Sequence, residues 1–267
     1  MDDRIRVTLE QGVADVRLVR ADKMNALDDR MFEALRQTGE RLKTMAGVRA
    51  IVLSGEGRAF CAGLDTENFG KMASGERGGQ RLLQGDRTPG GANPPQQSVM
   101  VWRELPVPVI AAVHGVAFGG GFQLMLGADM RFIAADTRLS VMEINWGLVP
   151  DMGGMALMRH LVRDDVAREL VYTGRVFNGQ EALQLGLATR VSADPYADAL
   201  VLAREIADRP PKAMRAAKRL LDLAQQADAK AMLLAESREQ AALIGAPEQV
   251  EAVRARLDKR KAVFQDA

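Results

Sequence analysis

The sequence predicts an α/β fold followed by a helical C-terminal region, on three observations. Two short apolar runs, residues 50–54 and 109–113, have the unbroken hydrophobicity of strands covered on both faces. Glycine-rich connections follow each run and lead into helix-like stretches, the strand, loop, helix rhythm of α/β architecture. From residue 198 onward the pattern is almost wholly helical, broken at Pro210-Pro211 and near Gly245-Ala246-Pro247.

Residues 5–19 read as two strands turning at Gln11-Gly12, with Val13, Val16, Leu18 and Val19 supplying apolar positions. A loop covers residues 20–27. Asp28 can cap the next helix, which carries Met31, Leu35 and Leu42 on one face. Beyond strand 50–54, Gly55, Gly57 and Gly63 keep the connection a loop. Residues 71–97 are rich in Gly and Pro, with Gly78-Gly79, Pro89-Gly90-Gly91 and Pro94-Pro95. They read as a mobile surface loop or as a lid over a site. A helix is expected over 98–105, after which Pro106 and Pro108 introduce strand 109–113. Gly115 and Gly119-Gly120-Gly121 lead into a helix over 122–127. Strands over 129–134 and 138–142 come next, then a helix opened by Pro150 and Asp151 and running to Leu161. The division is a core over residues 1–197 and a helical region over 198–267.

At 267 residues the chain suits one large domain, or a core with a small appendage. Burial of roughly 70–75% of the unfolded surface is expected at such a size, so stability requires neither disulfide nor metal. Lys and Arg number 36 against 35 Asp and Glu, a net charge of +1. That balance offers no global attraction for nucleic acid or an anionic membrane. A single cysteine, Cys61, excludes an intrachain disulfide and fits a reducing compartment. His114 and His160 are too few for a typical histidine-rich metal site. No apolar run reaches the ~20 residues of a membrane span, and no signal peptide is visible. A cytoplasmic protein is expected.

Two turns carry the candidate chemistry. Strand 109–113, three glycines and a helix start can bring backbone N–H groups close to a negatively charged oxygen. The same turn can equally serve close packing of helix on strand. It lacks the Gly-Lys-Ser/Thr of a nucleotide-binding loop and the Gly-x-Gly-x-x-Gly of a dinucleotide site. The stretch Gly57-Arg58-Ala59-Phe60-Cys61-Ala62-Gly63-Leu64-Asp65 also follows a buried strand and ends in small residues. Converging on one oxygen, two such turns would stabilise an enolate or a tetrahedral oxyanion.

These stretches together resemble the crotonase superfamily, the enoyl-CoA hydratase/isomerase family. The likeness also takes in residues 20–27, His114-Gly115-Val116-Ala117-Phe118, Gly147-Leu148-Val149-Pro150 and Gly153-Gly154. It continues through Glu181-Ala182, Gly186-Leu187 and Pro211-Lys212-Ala213. The resemblance implies a spiral of ββα turns with a C-terminal helical oligomerisation region, assembled as a homotrimer or a dimer of trimers. It implies an acyl-CoA substrate, coenzyme A entering only as part of that substrate, and neither a metal nor a separate cofactor. The thioester oxygen would lie between the N–H groups of Leu64 and Gly120. Lys23, Asn25, Ala26, Ala62 and Asp65 would border the CoA. Lys259 and Phe264 would reach the CoA of a neighbouring subunit from the basic terminal helix, which otherwise reads as a solvated face.

The carboxylates decide the reaction. Family hydratases carry two glutamates; Glu143 matches one, while Gln123 stands where the other belongs. An amide exchanges no proton, although it can orient water or substrate. Leu139, Val141, Met142, Ile144 and Trp146 around Glu143 are expected to desolvate it and raise its pKa, suiting a proton shuttle. Trp146 and Met142 themselves are expected to line the core or an acyl pocket. Asp151 is either a helix cap or a second catalytic acid, since family dienoyl-CoA isomerases have an acid there. Cys61 reads as a buried or loop thiol and His114 as structural. The leading expectation is a double-bond isomerase of enoyl- or dienoyl-CoA. The alternatives are a single-glutamate 2-enoyl-CoA hydratase, a thioesterase or hydrolase, and a non-catalytic acyl-CoA-binding pseudoenzyme.

Overall fold

The computed structural model describes residues 3–76, 78–83 and 85–265. Its strands are β1 (Ile5–Glu10), β2 (Val13–Leu18), β3 (Ala50–Gly55), β4 (Val109–Val113), β5 (Val116–Phe118), β6 (Met130–Ile133), β7 (Arg138–Ser140), β8 (Phe177–Asn178) and β9 (Arg190–Val191). Helices of the core are α1 (Asp29–Thr44), α2 (Thr66–Ala73), α3 (Pro94–Arg103), α4 (Gly120–Leu126), α5 (Gly154–Met158), α6 (Asp164–Thr173), α7 (Gly179–Leu185) and α8 (Pro195–Ala207). Three more follow: α9 (Pro211–Leu223), α10 (Ala229–Leu243) and α11 (Pro247–Leu257). No helix among the described residues is long and apolar enough to cross a membrane.

One sheet has the order β1-β2-β3-β4-β6-β9 and a smaller one β5-β7-β8. Only β1 is antiparallel in the larger sheet, as the hairpin at Gln11-Gly12 requires. From β2 to β7 the chain alternates between the two layers, each visit to the larger sheet being followed by one to the second layer and then by a helix, whereas β9 leads directly into α8. β4 is followed by β5 and α4, and β6 by β7 and α5. Earlier turns keep this order with single bridges in place of strands: Leu27 pairs with Leu64, and Cys61 with Ala117. The result is the expected spiral of ββα turns.

The strand period of two splits the core. Ile51, Leu53, Val109, Ala111 and Val113 face the main core with α1, α3 and α4. Ala50, Val52, Ile110 and Ala112 face Ala199, Ala203 and Ala207 of α8. The expected division after residue 197 falls inside α8, whose alanine stripe covers the outer face of the sheet. Lys218 fastens α9, its buried ammonium donating to the Val107 carbonyl at 3.0 Å and to Asp129 at 2.7 Å. In α10 no residue is buried, and Leu233, Leu234, Val253 and Leu257 on α10 and α11 are exposed.

Several elements differ from the sequence expectation. The helix expected over 98–105 starts at Pro94 instead, because Asn93 and Gln96 form a capping box and proline suits a first helical turn. Within residues 71–97 lie the end of α2, a 3-10 turn (Gly79–Leu82) and the start of α3. The strand over 138–142 ends at Ser140, and Glu143 begins a 3-10 turn (Glu143–Trp146). Pro150 and Asp151 open no helix: α5 starts at Gly154 behind Gly153, so Asp151 is not a helix cap. Between Leu161 and Asp198 the sequence reading assigns no elements, and the structure supplies α6, β8, α7, β9 and the start of α8.

Candidate active site

Successive turns of the spiral deliver their second-layer ends to one place. Leu64 follows the bridge at Cys61, Gly120 follows β5, and Glu143 follows β7. All three border one cavity of about 1120 Å³.

The bridge at Leu27 explains where the Leu64 N–H points. Leu27 donates to the Gly63 carbonyl at 2.8 Å and accepts from Asp65 N–H at 3.1 Å. In a parallel bridge that pattern turns the N–H of the intervening Leu64 away from Leu27, and Leu64 lines the cavity. Gly120 opens α4, where the first N–H groups have no partner within the helix. Among the described hydrogen bonds neither Leu64 N–H nor Gly120 N–H has an acceptor in the protein. The two turns touch. A Cβ on Gly63 would lie 2.5 Å from the Phe118 carbonyl oxygen and 3.6 Å from Gly120 N. One on Gly121 would lie 2.3 Å from the Cys61 carbonyl oxygen, so neither position admits a side chain.

Residues 20–27 are sewn to the same region. Arg20 donates to the Ala26 carbonyl and pairs with Asp65. Asp65 also caps α2 by accepting from Glu67 N–H at 3.0 Å. Burial pushes its carboxyl up, but the Glu67 N–H and the Arg20 guanidinium outweigh that and hold it below the usual range. Asn25 is buried at φ 56°, and its amide donates to the carbonyls of Glu56 and Ala59. Its side chain thus braces the loop, while Lys23, Ala26, Ala62 and Asp65 line the cavity. Lys259 and Phe264 do not line it in this chain. The Phe264 carbonyl accepts from Arg49 at 2.8 Å, where the sheet begins at β3 and the cavity is not.

Gln123 is almost wholly buried, and its orientation is fixed by chemistry. Its carbonyl accepts from Met152 N–H at 2.9 Å and Gly154 N–H at 3.0 Å. The amide nitrogen is left to donate to Glu143 Oε1 at 2.6 Å. Glu143 Oε2 is buried without a hydrogen-bond partner. Burial raises the Glu143 pKa, against the opposing pull of its own N–H and of Gln123, and the nearby Asp151 charge adds to the rise. Asp151 is exposed and lines the cavity. The arrangement can hold and move one proton on a buried carboxyl beside two free N–H donors.

Other candidates lie elsewhere. Burial pushes the Cys61 thiol up to about 12, and it donates to the Asn25 carbonyl at 3.2 Å, so it is no thiolate. His114 joins the end of β4 to the Gly57 carbonyl at 2.9 Å. Sequence reasoning missed the Arg20–Asp65 pair, although a charge within an otherwise matching loop was a signal. It also missed the stacking of Phe69 on Trp146, with ring centroids 4.2 Å apart, for which the sequence held no signal.

Residues 8–267 match the family model described as enoyl-CoA hydratase/isomerase. The mouse (Mus musculus) protein named methylglutaconyl-CoA hydratase, mitochondrial, is 31% identical over 270 residues, covering 97% of this chain and 82% of its own. Carnitinyl-CoA dehydratase of Proteus mirabilis is 34% identical over 223 residues, covering 82% and 80%. The crystal structure of enoyl-CoA hydratase from Bacillus anthracis superposes with a TM-score of 0.87 at 28% identity, covering 98% of each chain.

Proposed function

Since the chain belongs to the enoyl-CoA hydratase/isomerase family of acyl-CoA enzymes, we propose that it shifts a double bond in an enoyl- or dienoyl-CoA. The thioester oxygen sits between the N–H groups of Leu64 and Gly120, which strengthen their hold as it becomes an enolate oxygen. Glu143 as carboxylate takes a proton from the carbon alpha to the thioester, or from one conjugated with it. The electron pair left behind spreads into the thioester and the double bond. Glu143, or Asp151, then returns a proton at the other end of the conjugated system. Substrate and product are isomers, so no water is consumed. Lys23, Ala26, Ala62 and Asp65 border the CoA, with Asn25 bracing their loop, and Lys259 and Phe264 approach the CoA of a neighbouring copy. The exposed leucines of α10 and α11 support a homotrimer or a dimer of trimers.

One observation carries the choice of isomerisation. Gln123 is locked between two backbone N–H groups and Glu143, so a two-carboxyl hydration lacks its second buried carboxyl. Hydration with Glu143 alone is the second reading, favoured by the hydratase and dehydratase names of the relatives. A panel of 3-enoyl-, 2-enoyl-, 3,5-dienoyl- and saturated acyl-CoAs tests both, with double-bond migration, hydration and thiol release each followed. Migration without hydration is expected. Hydration without migration rejects the isomerase, thiol release marks a hydrolase, and binding without turnover marks a pseudoenzyme.

A further inference from the structure

The cavity contains a pair of rings for which proton transfer has no use. Phe69 and Trp146 stack with centroids 4.2 Å apart and planes 18° from parallel, and both line the cavity. Each is tied to the reacting centre by its own element. Phe69 lies on α2, whose first turn is fixed by Asp65 on Arg20 and by Asn68, which donates to the Leu27 carbonyl at 3.2 Å. That helix starts two residues after Leu64. Trp146 closes the 3-10 turn that Glu143 opens. The stack therefore spans from the N–H donor side of the site to the carboxyl side. Met72, Leu82, Leu148 and Val149 also line the cavity. Trp146 keeps 53% of its surface accessible despite the stack, so Phe69 covers only part of the indole.

We propose that the Phe69–Trp146 pair selects the acyl group, favouring acyl-CoAs whose acyl end is flat and π-bearing, aryl or conjugated, over flexible saturated chains. The inference rests on the acyl-CoA reading of the cavity. Stacked aromatic rings gain from an offset or edge-on third ring beyond the area buried. A flat acyl end also has few rotatable bonds to freeze, whereas a saturated chain loses rotamer freedom on binding. The pair holds the acyl end at a fixed position relative to both Leu64 and Glu143, since α2 starts two residues after Leu64 and the 3-10 turn starts at Glu143.

The chain has two tryptophans, and Trp102 is fully buried with its indole N–H on the Ser98 carbonyl, which leaves Trp146 as the reporter at the site. The test titrates the full chain with 3-phenylpropanoyl-CoA and with nonanoyl-CoA, which have equal carbon counts. Neither has an acyl double bond, so neither isomerisation nor hydration intervenes. Affinity is read by calorimetry and by tryptophan fluorescence, with free CoA as the control for folding and for the CoA-binding loop. The phenyl ligand should perturb Trp146 fluorescence. Its affinity relative to nonanoyl-CoA should fall about twofold to tenfold in Trp146→Leu and in Phe69→Leu, with CoA binding unaltered. An unchanged ratio in both variants overturns the proposal, as does calorimetric binding that leaves the fluorescence unmoved. Absence of any acyl-CoA binding overturns it together with the acyl-CoA reading. A shifted ratio in a protein that migrates no double bond rejects the isomerase reading alone and upholds this one.

Discussion

At Glu143 burial opposes the charged form, while Gln123 and the residue's own N–H favour it, and burial prevails. Its folded pKa is raised, so the folded state holds the proton more tightly than the unfolded chain does. The resulting stability is fully present below the ordinary glutamate value of about 4.3 and is lost as pH rises through the folded value. Glu143→Gln removes this dependence. The variant should therefore melt above the wild type at about pH 8 and alongside it at about pH 4, by the linkage just described, while its kcat falls about a hundredfold to ten-thousandfold. Thermal melts across pH and steady-state rates check the two halves. Gly120 allows a backbone donor to be deleted. Proline is tolerated at a first helical position and has no N–H. Its ring would crowd Leu27 and Met152, whose atoms lie 2.7 and 2.9 Å from a Cβ built there, and Gly120→Ala introduces the same crowding with the N–H kept. Gly120→Pro should lower kcat about a hundredfold to a thousandfold below Gly120→Ala, with CoA affinity equal in calorimetry. Equal kcat values would remove this N–H from the mechanism.

Among the elements, the two apolar strands were legible because their residues are buried on both sides, which leaves no alternation to misread. The hairpin at Gln11-Gly12 and the Asp28-capped helix were legible for equally local reasons, a turn and a cap. The α5 region was not, because the carbonyl that holds Met152 and Gly154 N–H belongs to Gln123, far away in sequence. Pro94-Pro95 could be read as loop or helix start, and only the Asn93–Gln96 box decides. The docking of α9 was equally hidden, since Lys218 reads as a surface cation until Asp129 and the Val107 carbonyl are placed beside it. Lys218→Met should cost about 1–3 kcal/mol, because it takes the donor from the Val107 carbonyl and leaves Asp129 with only the Val109 N–H and Arg103, measured by urea unfolding. A loss below about 0.5 kcal/mol would put this pair among ordinary surface ion pairs.

For the whole molecule, the spiral converts sequence distance into proximity: Leu64, Gly120 and Glu143 end successive second-layer visits and so meet at one cavity. Family motifs made that meeting legible from sequence, because glycines mark the places where the turns touch. They could not show what Gln123 does. Its amide donates to Glu143 while its carbonyl is held by the Met152 and Gly154 N–H groups, contacts that no motif announces. The C-terminal helices leave apolar side chains on the surface, and Lys259 and Phe264 lie away from the cavity of their own chain. The reaction itself is tested most directly by mass spectrometry of the product formed from a 3-enoyl-CoA in deuterium oxide. A 2-enoyl-CoA of the substrate's composition is expected, with a fraction carrying no deuterium because Glu143 returns the proton it removed. A product that has gained the elements of water, with no migrated double bond preceding it, would contradict the single-carboxyl isomerase.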